Sequence, residues 1–352
     1  MTHATRVDRS DIAAVVAPVT RHHLLSPART RASSHMTEST FTREAVPTFQ
    51  HPRTTSRAIL RWLGRVVLAL LAVVLVGAAS VYGLSERRFR ARFSIPEHSV
   101  AVSEDAASVM HGEHVATVRG CVECHGAGLA GNTIVDQPII GRLAGPNLTL
   151  GGRGAELEPR DWERAVRHGV KRNGKPLLFM PAGEFTTLTD EDLAAIIAYA
   201  RSVPNVRHAA PTSYAGPLLR TMYVANKVRI LSAEDIDHAR PHEKRLLAEP
   251  TASYGKYLAT GCTGCHGDGF SGGKIPGAPP EWGPAANITP AGIGKWTSDD
   301  FARALRTGRR PDGSAIDSTN MPIRLLRQMT DVEISALYAY LRTLPPREYG
   351  NR

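Results

Sequence analysis

An all-α architecture is expected from three observations: two tandem copies of one small helical domain, set behind a single N-terminal transmembrane helix. The first observation is an uncharged run of 19 residues, Val66 to Leu84. The second is a set of residues that recurs at a spacing of 141 along the remainder of the chain. The third is the helical punctuation of each copy, with Thr-Asp starts and Pro stops.

The run from Val66 to Leu84 (VVLALLAVVLVGAASVYGL) is long enough at about 1.5 Å per residue to nearly cross a hydrocarbon core of roughly 30 Å. It has no amphipathic stripe, and arginines bracket both ends, which argues against a buried core helix. Ala78-Ala79-Ser80 would suit a signal-peptide cleavage site. The apolar run continues past it through Leu84, so an uncleaved anchor over 59–85 is expected. Residues 1–58, rich in Arg, Ser, Thr and His, are expected to form a disordered tail, and Met36 offers a second possible start. A short linker, 86–100, follows the anchor.

The formal net charge of +10 raises the possibility of a nucleic-acid partner. Its distribution excludes one. Residues 1–100 hold 14 Lys and Arg against 6 Asp and Glu, whereas the other 252 residues hold 29 against 27. The excess belongs to the tail.

All four cysteines fall into two identical frames, Cys121-Val122-Glu123-Cys124-His125 and Cys262-Thr263-Gly264-Cys265-His266. C-x-x-C-H is the attachment sequence for c-type haem. On a helix, positions i, i+3 and i+4 share one face. Two thiols can then bond to two porphyrin vinyls while the adjacent histidine ligates iron. A zinc ribbon would need the two pairs about 15–20 residues apart, and here 137 residues separate them. A thioredoxin-like dithiol leaves the histidine after each pair unexplained. Two covalently bound haem c groups are therefore expected, held by Cys121, Cys124 and His125 and by Cys262, Cys265 and His266.

The repeat extends beyond the cysteines. Met180 and Met321 are 141 apart, each followed by Pro, and each lies 55 residues after its histidine. A thioether sulfur is the usual second axial ligand in His/Met cytochromes. Another methionine, Met329, aligns with Leu188 and so reads as packing. Met180 and Met321 are the expected sixth ligands, so iron is held by His125 and Met180 in one copy and by His266 and Met321 in the other. His111, His114 and His168 have no histidine counterpart and read as surface residues. Tyr199 and Tyr340 are expected to pack where a first helix crosses at Gly112 and Gly255. Helices are expected over Leu193–Arg201 and Ile334–Arg342, capped near Thr189 and Thr330 and stopped before Pro204 and Pro345. Asn147 and Asn287 read equally well as turn formers or as partners of a haem propionate or the Met loop. Arg142, Lys175 and Lys274 are further candidates for the propionates.

Both copies resemble class I cytochrome c domains. In the second, Asn287-Ile288-Thr289-Pro290, Gly292-Ile293-Gly294-Lys295-Trp296-Thr297, Met321-Pro322, Met329-Thr330-Asp331 and Tyr338-Ala339-Tyr340-Leu341 are similar to the multihaem cytochrome c subunits of membrane-bound alcohol, gluconate and related sugar dehydrogenases. Pro217-Leu218-Leu219-Arg220 resembles that family's inter-domain segment. The resemblance covers about residues 105–346. It implies a subunit that takes electrons from a flavin- or quinone-dependent dehydrogenase and passes them to membrane quinone or a terminal oxidase. It also implies haem domains in the periplasm, on the outer side of a bacterial inner membrane crossed once. The family commonly carries three haem motifs and a C-terminal membrane attachment, whereas this chain has two motifs and an N-terminal run.

The expected order is thus a cytochrome c domain over 101–205, an inter-domain linker over 206–250, a second cytochrome c domain over 251–346 and a tail over 347–352. The expected function is single-electron relay without bond making. Two alternatives are the dihaem subunit of a haem–copper oxidase and a dihaem peroxidase-type enzyme. Two Met-Pro ligands argue against the peroxidase, which needs an open iron site.

Overall fold

The computed structural model describes residues 55–208, 211–278 and 281–352. Almost all of the expected disordered tail, with Met36, lies outside them. The chain divides into two compact units, Met1–Arg61 and Trp62–Arg352. The first contributes only the opening turns of helix α1 to the described residues.

Helix α1 spans Thr55–Phe89. At about 1.5 Å per residue it exceeds the roughly 30 Å of a hydrocarbon core. Its apolar window has a mean hydropathy of 2.5 and none of it is buried, so it is long and apolar enough to cross a membrane. The helix begins four residues before the expected anchor and ends four residues after it. Its C-terminal end is tied down. Arg88 pairs with Glu234 at 2.6 Å and Phe89 stacks on Tyr223. Arg220 donates to Ser85 Oγ at 2.8 Å and to Glu86 at 3.1 Å.

The rest of the chain is mainly helical. The first copy contains α2 (Ala106–Val118), α3 (Cys121–His125), α4 (Pro159–His168) and α5 (Asp190–Ser202). Between the copies lies α6 (Pro217–Val224). The second copy contains α7 (Ala252–Ala259), α8 (Thr263–His266), α9 (Pro290–Ile293), α10 (Ser298–Thr307), α11 (Ile323–Leu326) and α12 (Asp331–Thr343). The C-terminal helices start three residues earlier than expected. Thr189 and Thr330 cap them, each hydroxyl accepting from the backbone three residues on.

Each copy is organised by one helix crossing. A Cβ on Gly112 would lie 1.9 Å from Ala195 O, and one on Gly255 would lie 1.9 Å from Ala336 O. The absent side chain lets α2 meet α5, and α7 meet α12, backbone to backbone. The Cβ atoms of Tyr199 and Tyr340 lie against the same two glycines.

The all-α expectation needs a correction. The first copy carries a small antiparallel sheet in the order β1 (Asn132–Gln137), β2 (Gly141–Gly145) and β3 (Tyr214–Ala215). Five of the six residues of β1 are exposed, so no alternating apolar pattern marks it. Its third strand comes from the segment between the copies. That segment is folded: Ala215, Tyr223, Ile230 and Leu231 form a small core of their own, with Phe89, Leu178 and Phe179 packed against it.

The two copies share one hydrophobic core running from Val100 to Leu341. Arg119, at the end of α2, stacks its guanidinium 4.4 Å above the Tyr257 ring and donates to Leu258 O at 3.2 Å and Thr260 Oγ1 at 3.1 Å. His114 on α2 reaches both carboxylate oxygens of Glu333 on α12 at 2.9 Å. Tyr257 hydrogen-bonds Asp192 on α5.

Candidate haem sites

Short helices carry both C-x-x-C-H frames. Residues 121–125 form α3, and Cys262 leads into α8. Both histidines are buried and hydrogen-bonded alike. His125 Nδ1 lies 3.0 Å from Pro146 O, and His266 Nδ1 lies 2.7 Å from Ala286 O. A carbonyl only accepts, so Nδ1 carries the proton and Nε2 presents a lone pair. This is how a metal-ligating histidine is usually oriented by its outer partner. Burial holds both imidazoles below the usual histidine pKa, and the carbonyl bond offsets this in part. The neutral form is the ligand form.

The cysteines are not poised as redox thiols. Burial pushes Cys121 and Cys262 up to about 11. A reactive dithiol needs the opposite shift. Gly145 is what lets β2 approach the first frame, because a Cβ there would lie 2.0 Å from Cys124 O.

A cavity of about 1210 Å³ opens beside α3 in the first copy. Cys124, His125 and Met180 line it together, with Leu148, Trp162, Val166, Leu177 and Phe179 among the apolar walls. An apolar chamber of this size, with an oriented imidazole and a thioether in its walls, fits a haem c group. Lys171, Arg153 and Arg172 also line it. Burial and the neighbouring charges of Arg153 and Lys175 lower the Lys171 pKa. These cations suit propionates better than Arg142, which is engaged with Asp136 at 3.0 Å and with the Tyr214 ring. The signal for Lys171 and Arg172 in the sequence is the basic loop that follows α4, whereas Arg153 lies before that helix.

The methionine loops share one backbone shape. Pro181 (φ −80°, ψ 52°) and Pro322 (φ −75°, ψ 58°) sit at the centre of inverse γ-turns. The closing bonds run from Ala182 N–H to Met180 O at 2.8 Å and from Ile323 N–H to Met321 O at 2.7 Å. Met180 and Met321 are both partly buried against the common core.

Asn147 and Asn287 resolve to turns. Each side-chain oxygen accepts from the backbone N–H and the hydroxyl of the Thr two residues on. Each amide donates to the segment leaving its domain, Val206 O at 2.7 Å for Asn147 and Arg347 O at 2.8 Å for Asn287. The histidine expectations divide. His111 is exposed and pairs with Asp192. His114 is instead an inter-domain contact, and His168 is buried.

Residues 107–199 match the family described as cytochrome c oxidase, cbb3-type, subunit III, and residues 252–345 match the family described as cytochrome c. The gluconate 2-dehydrogenase cytochrome c subunit of Pantoea cypripedii is 29% identical over 284 residues, covering 70% of this chain and 63% of that protein. The cytochrome c subunit of the quinone alcohol dehydrogenase of Gluconacetobacter polyoxogenes is 29% identical over 287 residues, covering 69% and 57%. The fructose dehydrogenase cytochrome subunit of Gluconobacter japonicus is 26% identical over 274 residues, covering 72% and 56%. The aligned part of the chain thus spans about six-tenths of the length of these relatives. Cytochrome c domains carry covalently bound haem c, and the pairs at 121/124 and 262/265 have the form of its attachment motif. The chain is built from two tandem cytochrome c domains, and its relatives are cytochrome c subunits of gluconate, alcohol and fructose dehydrogenases.

Proposed function

We propose that this chain is a membrane-anchored dihaem cytochrome c that relays single electrons from a flavin- or quinone-dependent dehydrogenase to the respiratory chain. Cys121 and Cys124 hold one haem and Cys262 and Cys265 the other. His125 with Met180, and His266 with Met321, supply the axial ligands. Helix α1 crosses the bacterial inner membrane, and both domains stand in the periplasm. Each haem supplies Fe(III)/Fe(II) exchange. The protein orients the ligands, excludes water and holds the two groups close.

The observation that carries this reading is reciprocal packing at the attachment motifs. Glu123 of the first frame pairs with Arg324, just beyond Met321-Pro322. Its counterpart Gly264 lies against Glu184, just beyond Met180-Pro181, where a Cβ would sit 2.4 Å from Glu184 Oε1. Each attachment motif thus faces the other domain's ligand loop, an arrangement suited to passing electrons between haems. A second reading, the donor arm of a haem–copper oxidase, has support from the match of residues 107–199 to the cbb3 subunit description.

Affinity capture of the tagged protein from gently solubilised membranes tests the partner. Co-purifying dehydrogenase activity supports the first reading, and a haem–copper oxidase supports the second. Met180→Ala and Met321→Ala test the ligands. Each variant is expected to change the ligand field of one haem, open that iron to carbon monoxide and lower its potential, leaving the other unchanged. An unaltered spectrum in either variant would refute that methionine's role.

A further inference from the structure

The face of α4 turned away from the cavity carries a cluster that the haem site does not use. Glu163 and His168 stand on the helix, and His242 reaches them from the inter-domain segment. Their side chains are 2%, 3% and 10% exposed. His168 Nε2 lies 3.1 Å and His242 Nε2 3.6 Å from the same oxygen, Glu163 Oε1.

The proton positions follow from the neighbours. His238 Nε2 lies 3.1 Å from Ala233 O, an acceptor, and so carries a hydrogen. In a neutral ring, His238 Nδ1 is then a lone pair. His168 Nδ1 lies 3.0 Å from it and must donate. Neutral His168 is left with a bare Nε2 aimed at a carboxylate oxygen. Two lone pairs facing each other in a buried space are unfavourable unless a positive charge lies between them. Arg167 stands beside the carboxylate but does not lie between it and His168. Its Nη1 is 3.8 Å from Glu163, while its Nη2 is committed to Leu188 O at 2.6 Å and Asp190 at 2.9 Å. His242 brings a second nitrogen to the same point, and its Nδ1 is buried without a partner.

The spacing suits a metal. In a tetrahedral zinc site with bonds of about 2.0–2.1 Å, neighbouring donors stand about 3.3 Å apart, between the two distances found here. We propose that Glu163, His168 and His242 bind a divalent cation of the zinc type, with His238 as the outer partner that fixes the His168 tautomer. The ion would fasten the inter-domain segment to α4. That segment already follows α5 through Asp190 N–H to Glu243 O at 2.9 Å and Glu191 N–H to Lys244 O at 3.0 Å. The second copy has Ala302 and Thr307 where the first has Glu163 and His168, so the site belongs to the first domain alone.

The test uses the full-length haem-loaded protein in detergent, treated with chelator and titrated with Zn²⁺, with elemental analysis and zinc-edge X-ray absorption as readouts. One zinc per chain with nitrogen and oxygen neighbours is expected. His168→Ala and His242→Gln should each weaken binding by more than about 100-fold, and His238→Ala by about 10–100-fold, with the haem spectrum unchanged. His242→Gln lies off the helix and keeps the test decisive where His168→Ala fails to fold. No stoichiometric zinc in the wild type, or zinc retained undiminished in His242→Gln, would overturn the proposal and leave a protonated His168 as the positive charge.

Discussion

The two cytochrome c domains differ in what surrounds their shared scaffold. Both have the glycine crossing, the Thr-capped last helix, the carbonyl-oriented histidine, the Asn turn and the Met-Pro γ-turn. The first domain adds a hairpin, a third strand and a folded segment that closes over α4. Equivalent residues thereby acquire different environments. Arg167 and Arg306 both reach the Asp that opens the last helix, at 2.9 Å and 2.6 Å. Arg167 is fully buried, whereas the Arg306 side chain is 32% exposed. The common features are those a haem pocket requires. Where the first domain has the hairpin, the second shows an antiparallel bridge between Gly273 and Ala285, and the added inter-domain core of the first packs against Phe89 of α1.

The arginine pair should show this contrast most strongly. Arg167→Ala strips Asp190 and the Leu188 carbonyl of a fully buried donor and should cost about 3–5 kcal/mol. Arg306→Ala, at a partly exposed site, should cost about 1 kcal/mol. Thermal or denaturant unfolding of the haem-loaded protein measures both, and equal losses would contradict the environmental account. The glycine crossings should instead respond alike. Gly112→Leu and Gly255→Leu each force a side chain onto a carbonyl, and each should cost about 3 kcal/mol or more by overpacking. A tolerated substitution at either site would show that its helices can separate.

The smallest effect concerns the seam between the domains and depends on pH. Burial pushes Glu184 up to about 7 from an ordinary value of 4.5, with Arg119 opposing. A carboxyl raised in the folded state binds its proton more tightly there than in the unfolded chain. Its contribution is fully present below 4.5 and is lost as pH rises through about 7. The slope in that window is about 1.4 kcal/mol per pH unit at most. Glu184→Gln should flatten the slope and stabilise the protein on the alkaline side, as seen in melting temperature against pH.

Much of the shared scaffold was legible because its signals are local. A Thr three residues before an acidic side chain, a glycine one turn into a helix and a proline after a methionine each act within a few residues. What was not legible depends on distant partners. Strand β1 shows outward-facing residues almost throughout and is recognised by its pairing with β2. His168 reads as a surface residue until His238 and His242, seventy and seventy-four positions later, cover it. Asn147 could not be assigned between turn and cofactor without knowing that Val206 and His208 take its amide.

The reciprocity at the attachment motifs has a consequence for assembly. Contacts in which each partner offers the same two patches to the other are those of an isologous dimer. Two separate domains with these surfaces would associate only at a concentration set by their affinity. Joined through the segment after Ser202, they meet as an intramolecular event, at an effective concentration set by the length and stiffness of that segment. Docking is then independent of how much protein the cell makes, and a modest interface suffices to keep the two domains in register.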